Sequence, residues 1–332
     1  MSDRKNVAAL VWAPEENRTE QIARHLDAHL HTIHYLYYKR PFFAPFKYVP
    51  QTLKTLSVLR RQRAKVVYAT NPPVFAVLAA ALYCWRNGAT YVMDTHSPAL
   101  YSRKWSWTVP LQRFLARRAL LNVVDQSRYK ALIESWGGRA LVLEKPIAEN
   151  VLGDERVTPQ PGSPFTVTVI NTFAVDEPLE PVLEAARRLP DVCFVVLGNT
   201  SLADKRLLAS APANVSFPGY LLKENYWRQL AVSRAVMALT TYPFSLLAGG
   251  HDGLSLGKPL ILSDQPALTD FYTKSAVFTD NTAESLVAAV QEIQQNEQRY
   301  IRESHELAAE KRELWQASFA ALNSIIEEAA SG

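Results

Sequence analysis

Apolar residues fall along this chain in short continuous runs, separated by stretches with helical periodicity. Val7–Trp12, Thr32–Tyr35, Lys65–Ala69, Thr90–Met93, Leu121–Val124 and Leu141–Leu143 read as strands of a parallel sheet buried on both faces. Thr19 is placed to cap a helix running to about Leu30, and Gln51–Arg61 is amphipathic. Pro73 suits the first turn of a nearly all-apolar helix that continues through Trp85. Val74–Trp85 has only 12 residues. At about 1.5 Å per residue it is too short to cross a bilayer and reads as a buried or interfacial helix.

Residues 144–164 change character, with Pro146, Gly153, Pro159, Pro161, Gly162 and Pro164 marking an interdomain linker. A second alternating series follows. Phe165–Ile170, Val192–Leu197, Val215–Phe217, Ala235–Leu239, Pro259–Leu262 and Ala276–Phe278 read as strands, with helices near 179–189, 202–209, 223–232, 251–256 and 283–295. The chain closes on a mostly polar helix, about 297–330, with Trp315, Phe319, Leu322, Ile325 and Ile326 on one face. Strands alternating with helices twice over predict an α/β chain of two Rossmann-like domains facing a central cleft, residues 1–145 and 146–311. The helix over 312–330 is expected to pack back on the first domain.

Composition narrows the class. The 332 residues are 48% hydrophobic and 20% charged, ordinary for a globular protein of two domains. Two cysteines, Cys84 and Cys193, sit in apolar runs and form neither a disulfide framework nor a metal pattern. Met1–Asn6 leads straight into a strand-like run without a signal peptide, so a cytoplasmic setting is expected. The net charge of +4 hides an asymmetry: residues 1–150 carry 22 Lys and Arg against 10 Asp and Glu, the remainder 14 against 22. Between Asp27 and Asp94 there are nine cations and no acid, which points to a polyanionic partner for the first half.

Candidate chemistry concentrates in residues 249–264, Gly-Gly-His-Asp-Gly-Leu-Ser-Leu-Gly-Lys-Pro-Leu-Ile-Leu-Ser-Asp. Two glycines before a helix over His251–Leu256 would let a backbone approach an anion, which free N–H groups and the helix dipole favour. Asp252 stands in the first turn, where a carboxylate reaches sugar hydroxyls.

The second half resembles the donor-binding domain of glycosyltransferases of the GT-B fold, and most of all the superfamily of family 4 and the lipid-linked-oligosaccharide β-1,4-mannosyltransferases. The matching segments are Val167–Glu177, Phe194–Asn199, Val215–Leu221 and Gly249–Asp264, with Arg18, Asn71-Pro72-Pro73 and Asp94-Thr95-His96-Ser97 in the first half. The resemblance implies a nucleotide-sugar donor in the second domain and an acceptor in the first. It implies that Asp252 holds ribose hydroxyls, that Gly249, Gly250 and His251 lie at the diphosphate, and that Tyr220 and Leu221 flank the base. Gly198 and Asn199 would line the same pocket, and Asn171 and Thr172 would face the sugar phosphate. Two features depart from the family: Phe244 stands where its first motif glutamate belongs, and its basic pair is replaced by Asp176 and Glu177. The diphosphate charge would then fall to Lys145, Arg18 or Lys258, and the stereochemistry of transfer stays open. The resemblance implies no cofactor and no bound metal.

Asp94 and His96, just past a strand end, are candidates for the general base on an acceptor hydroxyl. His25, His29, His31 and His34 straddle a helix end and a strand, which argues against a metal cluster. Tyr37–Tyr48 alternates aromatics with cations; Lys39, Arg40, Phe42, Phe43 and Lys47 read as a face for an anionic membrane or an acceptor. Nucleic acid would use the same charge, but no nucleic-acid-binding motif is present. These observations lead to a cytoplasmic, peripheral-membrane glycosyltransferase acting on a lipid-linked or growing glycan. The alternatives are a sugar-nucleotide 2-epimerase and a non-catalytic GT-B subunit that recruits a partner to the membrane.

Overall fold

The computed structural model describes residues 6–14, 16–35, 44–153, 155, 157–160 and 162–331. The chain divides into two compact units, Met1–Lys145 with Leu314–Gly332, and Pro146–Glu313. Lys39, Arg40, Phe42 and Phe43 lie outside the described residues.

The first unit runs β1 (Val7–Val11), α1 (Asn17–His25), β2 (His29–Thr32), α2 (Ala44–Gln62), β3 (Val66–Asn71), α3 (Val74–Asn87) and β4 (Thr90–Thr95). It continues through α4 (Ser97–Tyr101), α5 (Val109–Ala116), β5 (Leu121–Val124), α6 (Ser127–Ser135) and β6 (Ala140–Val142). The strands are parallel in the order β2-β1-β3-β4-β5-β6, so the winding direction switches between β1 and β3. β1, β3 and β5 are buried along their whole length, which is why they read as unbroken apolar runs.

The second unit runs β7 (Phe165–Ile170), α7 (Glu180–Arg188), β8 (Val192–Leu197), α8 (Lys205–Ala209), β9 (Val215–Gly219) and α9 (Lys223–Val232). It continues through β10 (Ala235–Ala238), α10 (Ala248–Ser255), β11 (Leu260–Ser263), α11 (Pro266–Phe271) and β12 (Ala276–Thr279). Its parallel order is β12-β11-β10-β7-β8-β9, and the switch lies between β10 and β7. α12 (Ala283–Ser331) is one long helix with a kink at Asn296. Beyond Leu314 it belongs to the first unit, where Leu322 and Ile326 are buried among Val7, Ile22 and Leu26.

The structure corrects several boundaries. α1 ends at His25, because Leu26 caps it and Asp27 turns into the left-handed region at φ 51°. β2 therefore begins three residues earlier than expected, at His29 rather than Thr32. It is an edge strand whose residues are mostly exposed, so no apolar run marked it. Thr19 does not cap α1: the Glu16 carboxylate accepts from the backbone N–H of Arg18 and Thr19. Asp94 lies within β4 rather than past its end, level with Thr70 of β3 and Val123 of β5.

Candidate functional site

The carboxyl edge of the first sheet gathers a buried polar network. Asp94 is fully buried, and its Oδ1 is 3.1 Å from the Arg18 guanidinium. Arg18, delivered by the first turn of α1, also donates to the Leu143 carbonyl at 2.9 Å. Thr19 and Thr70 share a hydroxyl hydrogen bond of 2.8 Å beside the Asp94 carboxylate. His96 places Nε2 3.3 Å from Asp94 Oδ2 and Nδ1 3.8 Å from Glu16. Its side chain keeps 19% of its surface exposed, whereas Asp94 has none. His96 is thus the member of this pair that a bound molecule can touch.

Electrostatics separate the two roles. Burial pushes the Asp94 carboxyl up, but Arg18 and His96 outweigh it and hold it below the ordinary carboxylate range. Such a group stays ionised and is a poor proton acceptor. Burial pushes His96 down, but the adjacent Asp94 carboxylate outweighs it and leaves the imidazole above its usual value. A His–carboxylate dyad results, in which Asp94 orients the ring. Asp125, which sequence reasoning missed, closes the next strand end by accepting from the Ser97 hydroxyl at 2.8 and 2.6 Å. The signal was present: Asp125 follows the β5 run as Asp94 closes the β4 run.

The carboxyl edge of the second sheet is built differently. α10 starts at Ala248, and Leu247 supplies no side-chain cap. The opening N–H groups, those of Ala248, Gly249 and Gly250, therefore have no partner inside the helix. Gly249 and Gly250 lie inside the first turn, not in a loop before it, and packing explains them. A Cβ on Gly249 would stand 2.7 Å from Cβ of Ile170, and one on Gly250 2.6 Å from the Tyr272 hydroxyl oxygen. Missing side chains let α10 lie directly on the sheet at the β7–β10 switch point, where ligands bind in open α/β sheets.

Around this helix end the expected residues fall into distinct positions. Asp252, half-buried, accepts a hydrogen bond of 2.8 Å from the Tyr226 hydroxyl. Burial and the Asp252 charge push that phenol well above its usual range. The His251 ring is buried 4.7 Å from the Phe271 ring, with Nδ1 3.2 Å from the Tyr272 hydroxyl. Asn171 and Thr172 form the β7–α7 turn. Asn171 Oδ1 accepts from Phe173 N–H at 2.8 Å, and the Thr172 hydroxyl donates to Glu177 at 3.0 Å. Glu177, raised by burial, also takes the Thr172 N–H. A carboxylate of the chain thus already fills the place expected to face a sugar phosphate.

Gly198 allows the β7 and β8 loops to touch, since a Cβ there would lie 1.9 Å from the Asn171 carbonyl oxygen. Asn199 caps the short turn Thr200–Leu202. Tyr220, 81% exposed, stands at the end of β9 with Leu221 half-buried behind it. Lys258 is a correction. Its ammonium donates to the Ala231 and Ser233 carbonyls, ahead of β10, at the amino edge of the sheet. It cannot reach an anion at the start of α10. Arg18 is likewise engaged, by Asp94 and Leu143, and Lys145 is half-buried at the end of the first unit.

The histidines part company: His25 packs edge-on against Trp315 and Phe319, while His31 bonds Gln62 at 2.7 Å. Among the described residues no group of three or more His, Cys, Asp or Glu is placed to hold a metal ion. Among them, too, no helix is long and apolar enough to cross a membrane.

No protein-family model and no curated protein matches this chain in sequence. Solved structures do match in shape over nearly the whole length. Anabaena HepE in complex with UDP and glucose is 13% identical at a TM-score of 0.69, covering 98% of this chain and 99% of that one. A glycosyltransferase from Rickettsia africae is 12% identical at 0.74, covering 97% and 98%. Sucrose-phosphate synthase from Thermosynechococcus elongatus is 12% identical at 0.73, with the same coverage. The chain has the GT-B fold, two Rossmann-like units each built on a six-stranded parallel sheet. Identities this low carry the fold and do not extend to family 4.

Proposed function

We propose that this protein is a glycosyltransferase that moves a sugar from a nucleoside diphosphate to a lipid-linked or growing glycan acceptor at a membrane surface. The observation that carries the reading is the uncapped start of α10 at the β7–β10 switch point, with Asp252 one turn in. Negative charge is stabilised there by backbone N–H groups and the helix dipole. HepE, of the same fold, was crystallised with UDP and glucose, which supports a nucleotide-sugar ligand.

In this reading the leaving diphosphate gains stabilisation from Ala248, Gly249 and Gly250 as charge develops on it. Asp252, held by Tyr226, takes the ribose hydroxyls, while Tyr220 and Leu221 flank the base beside Gly198 and Asn199. His96 accepts the proton of the acceptor hydroxyl, and Asp94 keeps its ring oriented. No metal or cofactor is required for these steps, because backbone donors meet the diphosphate.

Calorimetry with UDP and with GDP tests the donor half. Binding of at least one, weakened by Asp252→Ala, is expected. Failure of both nucleotides to bind the folded chain overturns the reading. Radiolabelled donor then separates transfer, which needs an acceptor, from 2-epimerisation, which does not, and from a recruiting subunit that does neither.

A further inference from the structure

Helix α3 is apolar on both sides. Val74, Val77 and Ala81 are fully buried against the sheet of the first unit. Phe75, Leu78, Leu82 and Trp85 recur at helical spacing on the opposite side, where Leu82 is 41% and Trp85 48% exposed. A helix hydrophobic all round normally has both sides covered. The neighbouring elements extend this open face. Val49 and Leu53, one turn apart on α2, are 62% and 63% exposed. An apolar groove of about 280 Å³ runs between α2 and α3. Toward α5, Trp85 meets Phe114 edge-on at 6.1 Å, and Phe75 lies 5.9 Å from Trp107, which is 68% exposed.

The stretch of chain that builds this face is strongly one-sided in charge. From Ala28 to Val124 the chain holds fourteen Lys and Arg and a single acid, Asp94. Asp94 is buried against Arg18 and offers nothing to the surface. Arg86 follows Trp85, Arg113 precedes Phe114, and Arg118 lies over the Phe114 ring at 3.9 Å. A protein partner would ordinarily be met by a rim of mixed charge. Apolar side chains flanked along these helices by Arg86, Arg113 and Arg118 complement a layer of hydrocarbon under anionic headgroups.

We propose that the α2–α3–α5 face docks on an anionic lipid bilayer, its apolar side chains entering the headgroup layer and its cations meeting lipid phosphates. This deepens the preceding reading and rests on it only for the acceptor being lipid-borne. The face lies on the unit assigned to the acceptor, so docking would bring His96 to a substrate that is held at the membrane.

Sedimentation of the full chain with vesicles tests this. Phosphatidylcholine alone is compared with phosphatidylcholine mixed with phosphatidylglycerol, at low and high salt. Wild type is expected to bind the mixed vesicles and to be released by salt. Arg86→Glu with Arg113→Glu should weaken that binding at least about tenfold. Leu82→Ser with Trp85→Ser should also weaken it about tenfold or more. All four side chains are exposed, so both variants should keep the wild-type melting temperature and the wild-type UDP affinity. Wild type that ignores mixed vesicles at low salt overturns the proposal, as does unchanged binding in both variants. A wild-type dimer that Leu82→Ser with Trp85→Ser converts to monomer, without vesicle binding, assigns the face to a second copy of this chain instead. Vesicle binding that survives in a protein unable to bind UDP or GDP sinks the glycosyltransferase reading and leaves the docking face standing.

Discussion

At the carboxyl edge of the first sheet charged side chains are paired with one another, whereas at the same edge of the second the opening N–H groups of α10 have no side-chain cap. The first edge holds a buried ion pair, Arg18 with Asp94 at 3.1 Å, and a histidine fixed between two carboxylates. The second holds an uncapped helix start and carboxylates that accept from uncharged donors, Glu177 from Thr172 and Asp252 from Tyr226, with no buried ion pair like that of Arg18 and Asp94 among its described contacts. A buried charge pair commits its surroundings to one geometry before any substrate arrives, because separating it is costly. A helix end without a cap leaves its first N–H groups to water, which an anion can displace without breaking any bond within the protein. Changes at the first edge should therefore register as stability and turnover, and changes at the second as affinity.

The sharpest break in that comparison comes from Asp94→Asn. It leaves the Arg18 guanidinium in a dry site without its counter-charge, at a cost of about 3–5 kcal/mol, seen as a lowered urea midpoint. Replacing both, Arg18→Met with Asp94→Leu, should restore much of that loss. A double variant as unstable as the sum of the two singles would show that the pair does not hold this edge.

His96→Gln comes next. Turnover should fall about 10²–10⁴-fold with UDP affinity unchanged, if the imidazole is the base. Its pH profile carries a sign: the pKa is raised, and only the neutral ring accepts a proton. Rate should therefore climb as pH rises through a value above the usual 6.5 of histidine. A rate that falls over the same range would remove His96 from this role.

At the second edge, Asp252→Ala should cost about 1.5–3 kcal/mol in nucleotide affinity through lost charge-assisted bonds. Tyr226→Phe, which removes only the hydroxyl that donates to Asp252, should cost less. Equal affinity in wild type and Asp252→Ala, measured by calorimetry, would take the ribose role from Asp252.

The fold was legible because its strands are buried on both faces. Phe165–Ile170 and Val192–Leu197 emerge with the boundaries their apolar runs predict. α4, α5 and α6 escaped notice, since they are short and begin without an acidic residue in the first turn. The candidate site was legible only in part. Motif order placed Asp252, Gly198 and Tyr220 at one edge, but local pattern could not tell a glycine that meets a phosphate from one that seats a helix on Ile170. Nor could it show that Lys258 points to the wrong edge, because direction along a sheet depends on which loop a residue ends and not on its charge. The network joining Glu16, Arg18, Thr70 and Asp94 spans elements far apart in the chain, and spacing carries no trace of it.

The smallest expected effects concern proton linkage, where the two units should slope in opposite directions. His96 has a raised folded value, so its contribution to stability is complete below about pH 6.5 and is lost as pH rises through the folded value. Lys258 is the reverse case. Burial pushes its ammonium down to about 8, against an ordinary value of 10.5. Between those values the unfolded chain binds more protons than the folded one, so this residue adds stability as pH rises. Comparing thermal unfolding of wild type with Lys258→Met isolates the term, because other titrating groups are common to both. Wild type should gain about 1 kcal/mol over the variant between pH 8 and 9. Comparing wild type with His96→Gln should show the opposite drift from pH 6 to pH 8. Since Lys258 bonds the Ala231 and Ser233 carbonyls at the amino edge, Lys258→Met should leave nucleotide affinity within about twofold of wild type. A tenfold loss of UDP affinity in that variant would return Lys258 to the diphosphate and remove the distinction between the two edges of the second sheet.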